Sequence, residues 1–142
     1  MSKYYRYYVL IILTVVSMVN IMDRLIMSIL LEDIKAEFAM TDTQLGLLAG
    51  LAFALFYALM SIPIARWADV SNRKNILAGA LIIWSGMTAL CGAATGFVSL
   101  FLARLGVGIG EAGGSPPSYS IMADYFKPSE RARAMGIYFT GA

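Results

Sequence analysis

The sequence predicts an all-α membrane protein. Three observations carry that expectation: an apolar composition, charges gathered into clusters, and membrane-sized intervals between the clusters. Of the 142 residues, 59% are hydrophobic and 14% charged, against about a half and about a quarter in a soluble domain. Mean hydropathy is +0.71. These numbers exclude a disordered chain. Cys91 is the single cysteine, so no disulfide framework can close within the chain. With no histidine and no visible nucleophile–base pair or metal cluster, the chain reads as neither an enzyme nor a metal or cofactor binder. A net charge of +2 gives no reason to expect nucleic acid.

A spanning helix needs about 20 mostly apolar residues. The first expected span covers about residues 7–31. Lys3 and Arg6 followed by an apolar run suggest a signal peptide, but Asn20, Asp23 and Arg24 follow that run instead of a small-residue cleavage site. Tyr4, Tyr5, Tyr7 and Tyr8 suit the headgroup level at the start of a retained helix. The second and third spans, residues 45–64 and 76–94, carry no charge at all. Thr41 and Gln44 have capping-box spacing, so the second helix is expected to start just after Thr41, and Pro63 to mark its end. The fourth span covers residues 98–126, and a fifth apolar stretch, 134–142, is shorter than a crossing.

Orientation follows from the basic residues. Lys3, Arg6, Arg66, Arg73, Lys74, Lys127, Arg131 and Arg133 fall on one side of such a bundle, and only Lys35 on the other. The positive-inside rule therefore puts the N-terminus in the cytoplasm of a multi-pass protein of the cell membrane, with residues 32–43 and 95–98 outside.

Four charges remain, and all lie inside spans: Asp23, Arg24, Arg104 and Glu111. Each costs about 2.5–3.5 kcal/mol near a bilayer centre on insertion scales. Asn20, Asp23 and Arg24 share one helical face, as do Arg104, Gly108, Glu111 and Ser115. Asp23 and Arg104 lie at similar depth, and Glu111 about 10 Å deeper, with Arg104 the only cation on its own helix. Two polar stripes suggest a common wet cavity; the bland alternative is a static ion pair that fastens two helices. Gly106, Gly110 and Gly114 form a small-residue stripe for close helix contact, and Pro116 and Pro117 should kink the fourth helix. Gly108, Gly110 and Gly113 satisfy a dinucleotide fingerprint, which is rejected because no strand precedes them.

The segment Ala65–Lys74 resembles the signature loop of the major facilitator superfamily, G-x-L-A-D-R-x-G-R-K, matching at Asp69, Arg73 and Lys74 and departing at Ala65, Trp67, Val70 and Asn72. Arg104, Gly108 and Gly110-Glu111-Ala112 resemble that superfamily's second motif. Asn20-x-x-Asp23-Arg24, Gly108-x-Gly110-Glu111-Ala112, and Ala123-Asp124-Tyr125-Phe126 followed by Arg131-x-Arg133 are similar to its spinster-like branch. The resemblance implies a twelve-helix transporter of two six-helix bundles. This chain would be an N-terminal fragment, a partial N-terminal bundle with the C-terminal helices missing. The resemblance further implies alternating-access transport of a small-molecule substrate, driven by protons. By resemblance, Asp23 and Glu111 carry protons with Arg24 and Arg104 as charge partners, and Asp69, Arg73, Lys74 and Asp124 form a cytoplasmic gate. Alternatively, the chain is a complete four-helix membrane protein: a small dimeric multidrug exporter or a non-transporting assembly subunit.

Overall fold

The computed structural model describes residues 3–141, apart from the side chains of Lys3 and Ala52; Ala142, the last residue of the fifth apolar stretch, lies outside them. Five helical rods follow one another. Helix α1 is Lys3–Glu37, α2 is Asp42–Val70, α3 is Arg73–Gly92, α4 is Phe97–Tyr125 and α5 is Pro128–Thr140. The first four are long and apolar enough to cross a membrane. In α4, 56% of the span is buried, against 11–17% in the other three, so α4 is the centre of the bundle and the rest pack around it.

The helices outrun the apolar intervals. α1 continues past residue 31 to Glu37, and α5 begins at Pro128, six residues before the apolar run. Charged residues end a hydrocarbon span but not a helix, since a helix satisfies its own backbone in either solvent. α1 ends where Ala39 takes φ 49° and the Met40 N–H donates to the Lys35 carbonyl at 3.0 Å, a left-handed C-terminal cap. α2 starts with the capping box: Gln44 N–H donates to Thr41 Oγ1 at 3.3 Å, and Thr41 N–H to Gln44 Oε1 at 3.0 Å. A π turn follows at Leu47–Leu51.

Pro63 does not end α2. It sits inside Ala52–Val70, and the helix runs on for almost two more turns. It removes one backbone donor but leaves the flanking bonds to carry the rod. Pro116 and Pro117 behave differently. α4 breaks just before them, at Gly113–Gly114, and restarts with both prolines in the first turn of Ser115–Tyr125. A first turn needs no intrahelical N–H, so prolines are accommodated there.

The expected glycine stripe is shifted by one residue. A Cβ at Gly106 would meet the Met87 side chain at 2.6 Å, one at Gly110 the Trp84 backbone nitrogen at 2.7 Å, and one at Gly113 the Ala80 Cβ at 2.6 Å. Gly114 contacts only its own turn, at the Glu111 carbonyl. The seam between α3 and α4 is thus Gly106, Gly110 and Gly113, the i, i+4, i+7 face of Phe97–Ala112 carried on to its C-cap. The core around it falls into three layers. Leu10, Leu77, Met122 and Tyr138 pack at the end rich in basic residues, Phe53, Trp84 and Val107 in the middle, and Met27, Leu48 and Leu100 at the opposite end.

Candidate functional site

Around the middle layer lie the four charges of the spans, with Arg104 on the side away from the basic end and Glu111 one turn beyond Val107 towards it. They pair crosswise. Arg24 on α1 donates from Nε to Glu111 Oε2 at 2.8 Å, and its Nη2 lies 2.7 Å from the same oxygen. Arg104 on α4 approaches Asp23 Oδ2 with Nη1 at 3.8 Å, an ion pair longer than a hydrogen bond. Asp23 is held more closely by neutral donors on α3, Trp84 Nε1 at 3.1 Å and Thr88 Oγ1 at 3.3 Å.

Arg104 and Asp23, expected at similar depth, do meet, while Glu111, with Arg104 the only cation on its own helix, takes its partner from α1 instead. Consecutive residues on a helix point about 100° apart. Asp23 therefore turns towards α3 and Arg24 towards α2 and α4. The arginine side chain is long enough to cover the difference in depth. Asn20, on the same stripe, is half-buried and makes no side-chain hydrogen bond among the described residues.

Burial makes this arrangement demanding. Glu111 is 1% exposed and Arg104 6%. Glu111 Oε1 and Arg104 Nε are buried without a hydrogen-bond partner among the described residues. Aromatic rings support the cations: Arg24 Cζ lies 5.1 Å from the Phe53 ring centroid and 5.0 Å from that of Tyr57, and Arg104 Cζ lies 5.1 Å from Phe53. Phe53 packs closely on Gly108, where a Cβ would come within 3.3 Å of both its ring and its backbone oxygen. Arg24, Arg104, Phe53, Tyr57 and Ser28 line a cavity of about 330 Å³ between α1 and α2.

A second set of charges gathers at the basic end. Arg73, in the first turn of α3, pairs with Asp124 near the end of α4. Asp69 is exposed and joins no ion pair among the described residues. Lys74 is exposed too, and its backbone N–H donates to Asn72 Oδ1, the N-cap of α3, at 3.1 Å. Arg6 grips Glu130 through both carboxylate oxygens, at 2.7 and 3.2 Å, with Tyr7 and Phe126 beside its guanidinium. Arg6 holds the Glu130 carboxyl below its usual range. Arg131 donates to the Phe126 and Ala123 carbonyls, at 3.1 and 2.8 Å, capping the end of α4.

Reading the sequence alone missed Arg6, Glu130, Phe53, Tyr57, Trp84 and Thr88 as contributors. Phe53/Tyr57 and Trp84/Thr88 are each i, i+4 pairs, so each marks one helical face. Only the fold shows that these faces meet the charges.

The family model described as Major Facilitator Superfamily matches residues 13–142. An "MFS-type efflux pump" of Mycolicibacterium smegmatis is 37% identical over 89% of this chain and 29% of its own length. A "Probable L-galactonate transporter" of Escherichia coli is 30% identical over 86% of this chain and 27% of its own. A crystal structure of a bacterial homologue of the human lysosomal transporter Spinster, inward-facing and unoccupied, is 51% identical with a TM-score of 0.94, covering 99% of this chain and 29% of that one. The chain thus spans less than a third of the length of these relatives. With a transporter-family match over nearly all its residues, and helices that superimpose on a spinster-like structure, the chain belongs to the Major Facilitator Superfamily.

Proposed function

We propose that this chain supplies the first helices of a longer, twelve-helix transporter that moves a small organic acid across the cell membrane by alternating access, coupled to protons. The observation that carries the reading is the shared position of Arg24. Its guanidinium holds Glu111, and it also walls the cavity with Arg104, Ser28 and Tyr57. Two guanidiniums and aromatic walls suit an anionic group. The relative named as an L-galactonate transporter, whose named substrate is a sugar acid, supports that class.

The coupling follows from competition. An anion that takes up Arg24 weakens its hold on Glu111. A carboxylate left without its cation in an apolar interior takes up a proton rather than remain charged. Protonation of Glu111 in turn releases Arg24 to the anion. Acid and proton then bind together, with Asp23 and Arg104 as the second pair through which the site passes charge.

The N-terminus belongs in the cytoplasm, because the basic end of the bundle is the cytoplasmic one by the positive-inside rule. Arg73 and Asp124 form the part of the cytoplasmic gate within this chain, while Asp69 and Lys74 are free to meet the other half of the transporter.

A Glu111→Gln variant of the full-length transporter tests the reading in proteoliposomes. Gln keeps the size and much of the hydrogen bonding but cannot titrate. The variant should bind and exchange substrate yet no longer accumulate it in response to a pH gradient. Accumulation with wild-type pH dependence would leave the buried pair as a fastener of α1 and α4 only.

A further inference from the structure

We infer that Trp84 and Thr88 of α3 are positioning residues that hold the Asp23 carboxylate in place beside the charges of α4. The inference rests on the reading of Asp23 as a titrating group in transport. Three donors converge on one oxygen, Asp23 Oδ2: Trp84 Nε1 at 3.1 Å, Thr88 Oγ1 at 3.3 Å and Arg104 Nη1 at 3.8 Å. The two neutral donors are within hydrogen-bond distance and the cation is not. The place of Asp23 is therefore dictated by α3, not by its charge partner on α4.

Trp84 is itself immobilised. It is 3% exposed, and the α4 backbone rests on it at Gly110, where a Cβ would lie 2.7 Å from the Trp84 nitrogen. Gly110 immediately precedes Glu111. One tryptophan thus ties the two acids together: its backbone abuts the segment that carries Glu111, and its indole N–H reaches Asp23. An indole N–H donates only and does not titrate, so it fixes geometry without adding a charge that must itself be neutralised in the membrane. A donor to the charged form of a carboxylate favours that form. Other charged or titratable groups also face Asp23. Arg104 and Glu111 do so from α4, Cys91 from α3, and Arg24 and Glu37 lie on its own helix, with Tyr57 of α2 behind Arg24.

Three variants of the full-length transporter test this by pH–rate profile. Trp84→Phe and Thr88→Val each remove one donor, the second with almost no change of shape. Each should change the pH–rate profile of transport, because the carboxylate that it frees loses a fixed hydrogen bond. Thr88→Ser keeps the hydroxyl and should restore the wild-type profile. If Trp84→Phe proves unstable, the Thr88 pair decides the matter alone.

A spectroscopic measurement separates this inference from the coupling reading. In the full-length transporter in lipid nanodiscs, the indole N–H resonance of Trp84, assigned by its loss in Trp84→Phe, should shift in Asp23→Asn. An indole resonance indifferent to Asp23→Asn overturns the positioning role, whatever the transport assays show. Wild-type profiles in Thr88→Val and Trp84→Phe, beside a pH-dependent wild type, overturn it while leaving proton coupling intact.

Discussion

At the basic end of the bundle Arg6 holds Glu130 through both carboxylate oxygens, whereas in mid-span Arg24 holds Glu111 through one and leaves the other buried and unpaired. The better geometry is thus at the water-facing end, where it matters less. Exposed pairs are screened and easily replaced by water. Inside the bundle each charge is paired with a single opposite charge, and losing that partner strands the other. An imperfect buried pair can exchange partners. A well-made exposed pair chiefly fixes where α1 meets α5.

The largest expected effect breaks the interior pair. Arg24→Leu leaves Glu111 uncompensated and should destabilise the protein by about 3–5 kcal/mol, read as denaturant unfolding in detergent. Arg24→Leu with Glu111→Leu should recover most of that loss, because no charge then remains buried. If the double variant is no better than the single, the cost lies in lost packing and not in the stranded carboxylate.

Gly110→Ala sharpens the comparison by moving the scaffold while keeping every charge. Its Cβ would lie 2.7 Å from the Trp84 backbone nitrogen, so α3 and α4 must separate, at a cost of about 1–3 kcal/mol. Gly79→Ala on α3, which meets nothing within 4 Å, is the control and should be neutral or stabilising. Equal effects of the two would mean that the seam is not close-packed.

A smaller effect is expected at Thr41. Thr41→Ala removes the side-chain cap of α2 and should cost about 1 kcal/mol in the same unfolding assay. Thr41→Ser should not.

The smallest effect concerns pH at the exposed pair. Arg6 lowers the Glu130 carboxyl below its usual value. A lowered carboxylate contributes stability that is present above its unfolded value, near about pH 4.3, and is lost as pH falls through the lower folded value. Amide protection at the start of α5, measured against the intrinsic exchange rate at each pH, should therefore be unchanged from pH 7 down to about 5 and fall only below about 4. Glu130→Gln should remove that acid step. A step that survives the substitution would have to come from another carboxylate.

The spans, the capping box and the intramembrane charges were all legible in the sequence, because each depends on composition or on spacing along one helix. The pairing was not. Spacing gives the depth of Arg24 and Glu111 but not how α1 is rotated about its own axis relative to α4, and that rotation sends Asp23 to Trp84 and Arg24 to Glu111. Trp84 reads as packing on an apolar helix, since a tryptophan's polar edge is invisible until something polar meets it. Arg6 reads as a topology signal and Glu130 carries no signal of its own, yet the two are partners 124 residues apart. The third glycine of the seam is Gly113 and not Gly114 because a four-residue repeat drifts by about 40° per step, so that i+7 and not i+8 returns to the starting face.

A guanidinium carries five N–H bonds: one on Nε and two on each terminal nitrogen. In Arg24, Nε and Nη2 are both turned to Glu111, and the Phe53 and Tyr57 rings lie against the cation. Nη1 has no protein acceptor among the described residues. Three N–H bonds are therefore left over, two on Nη1 and one on Nη2, an end-on arm with a set direction that can still clasp two oxygens of a visitor. A lysine at this position would supply the charge without the arm, the stacking face or the second hydrogen bond, so Arg24→Lys is a change of coordination number and not a conservative exchange.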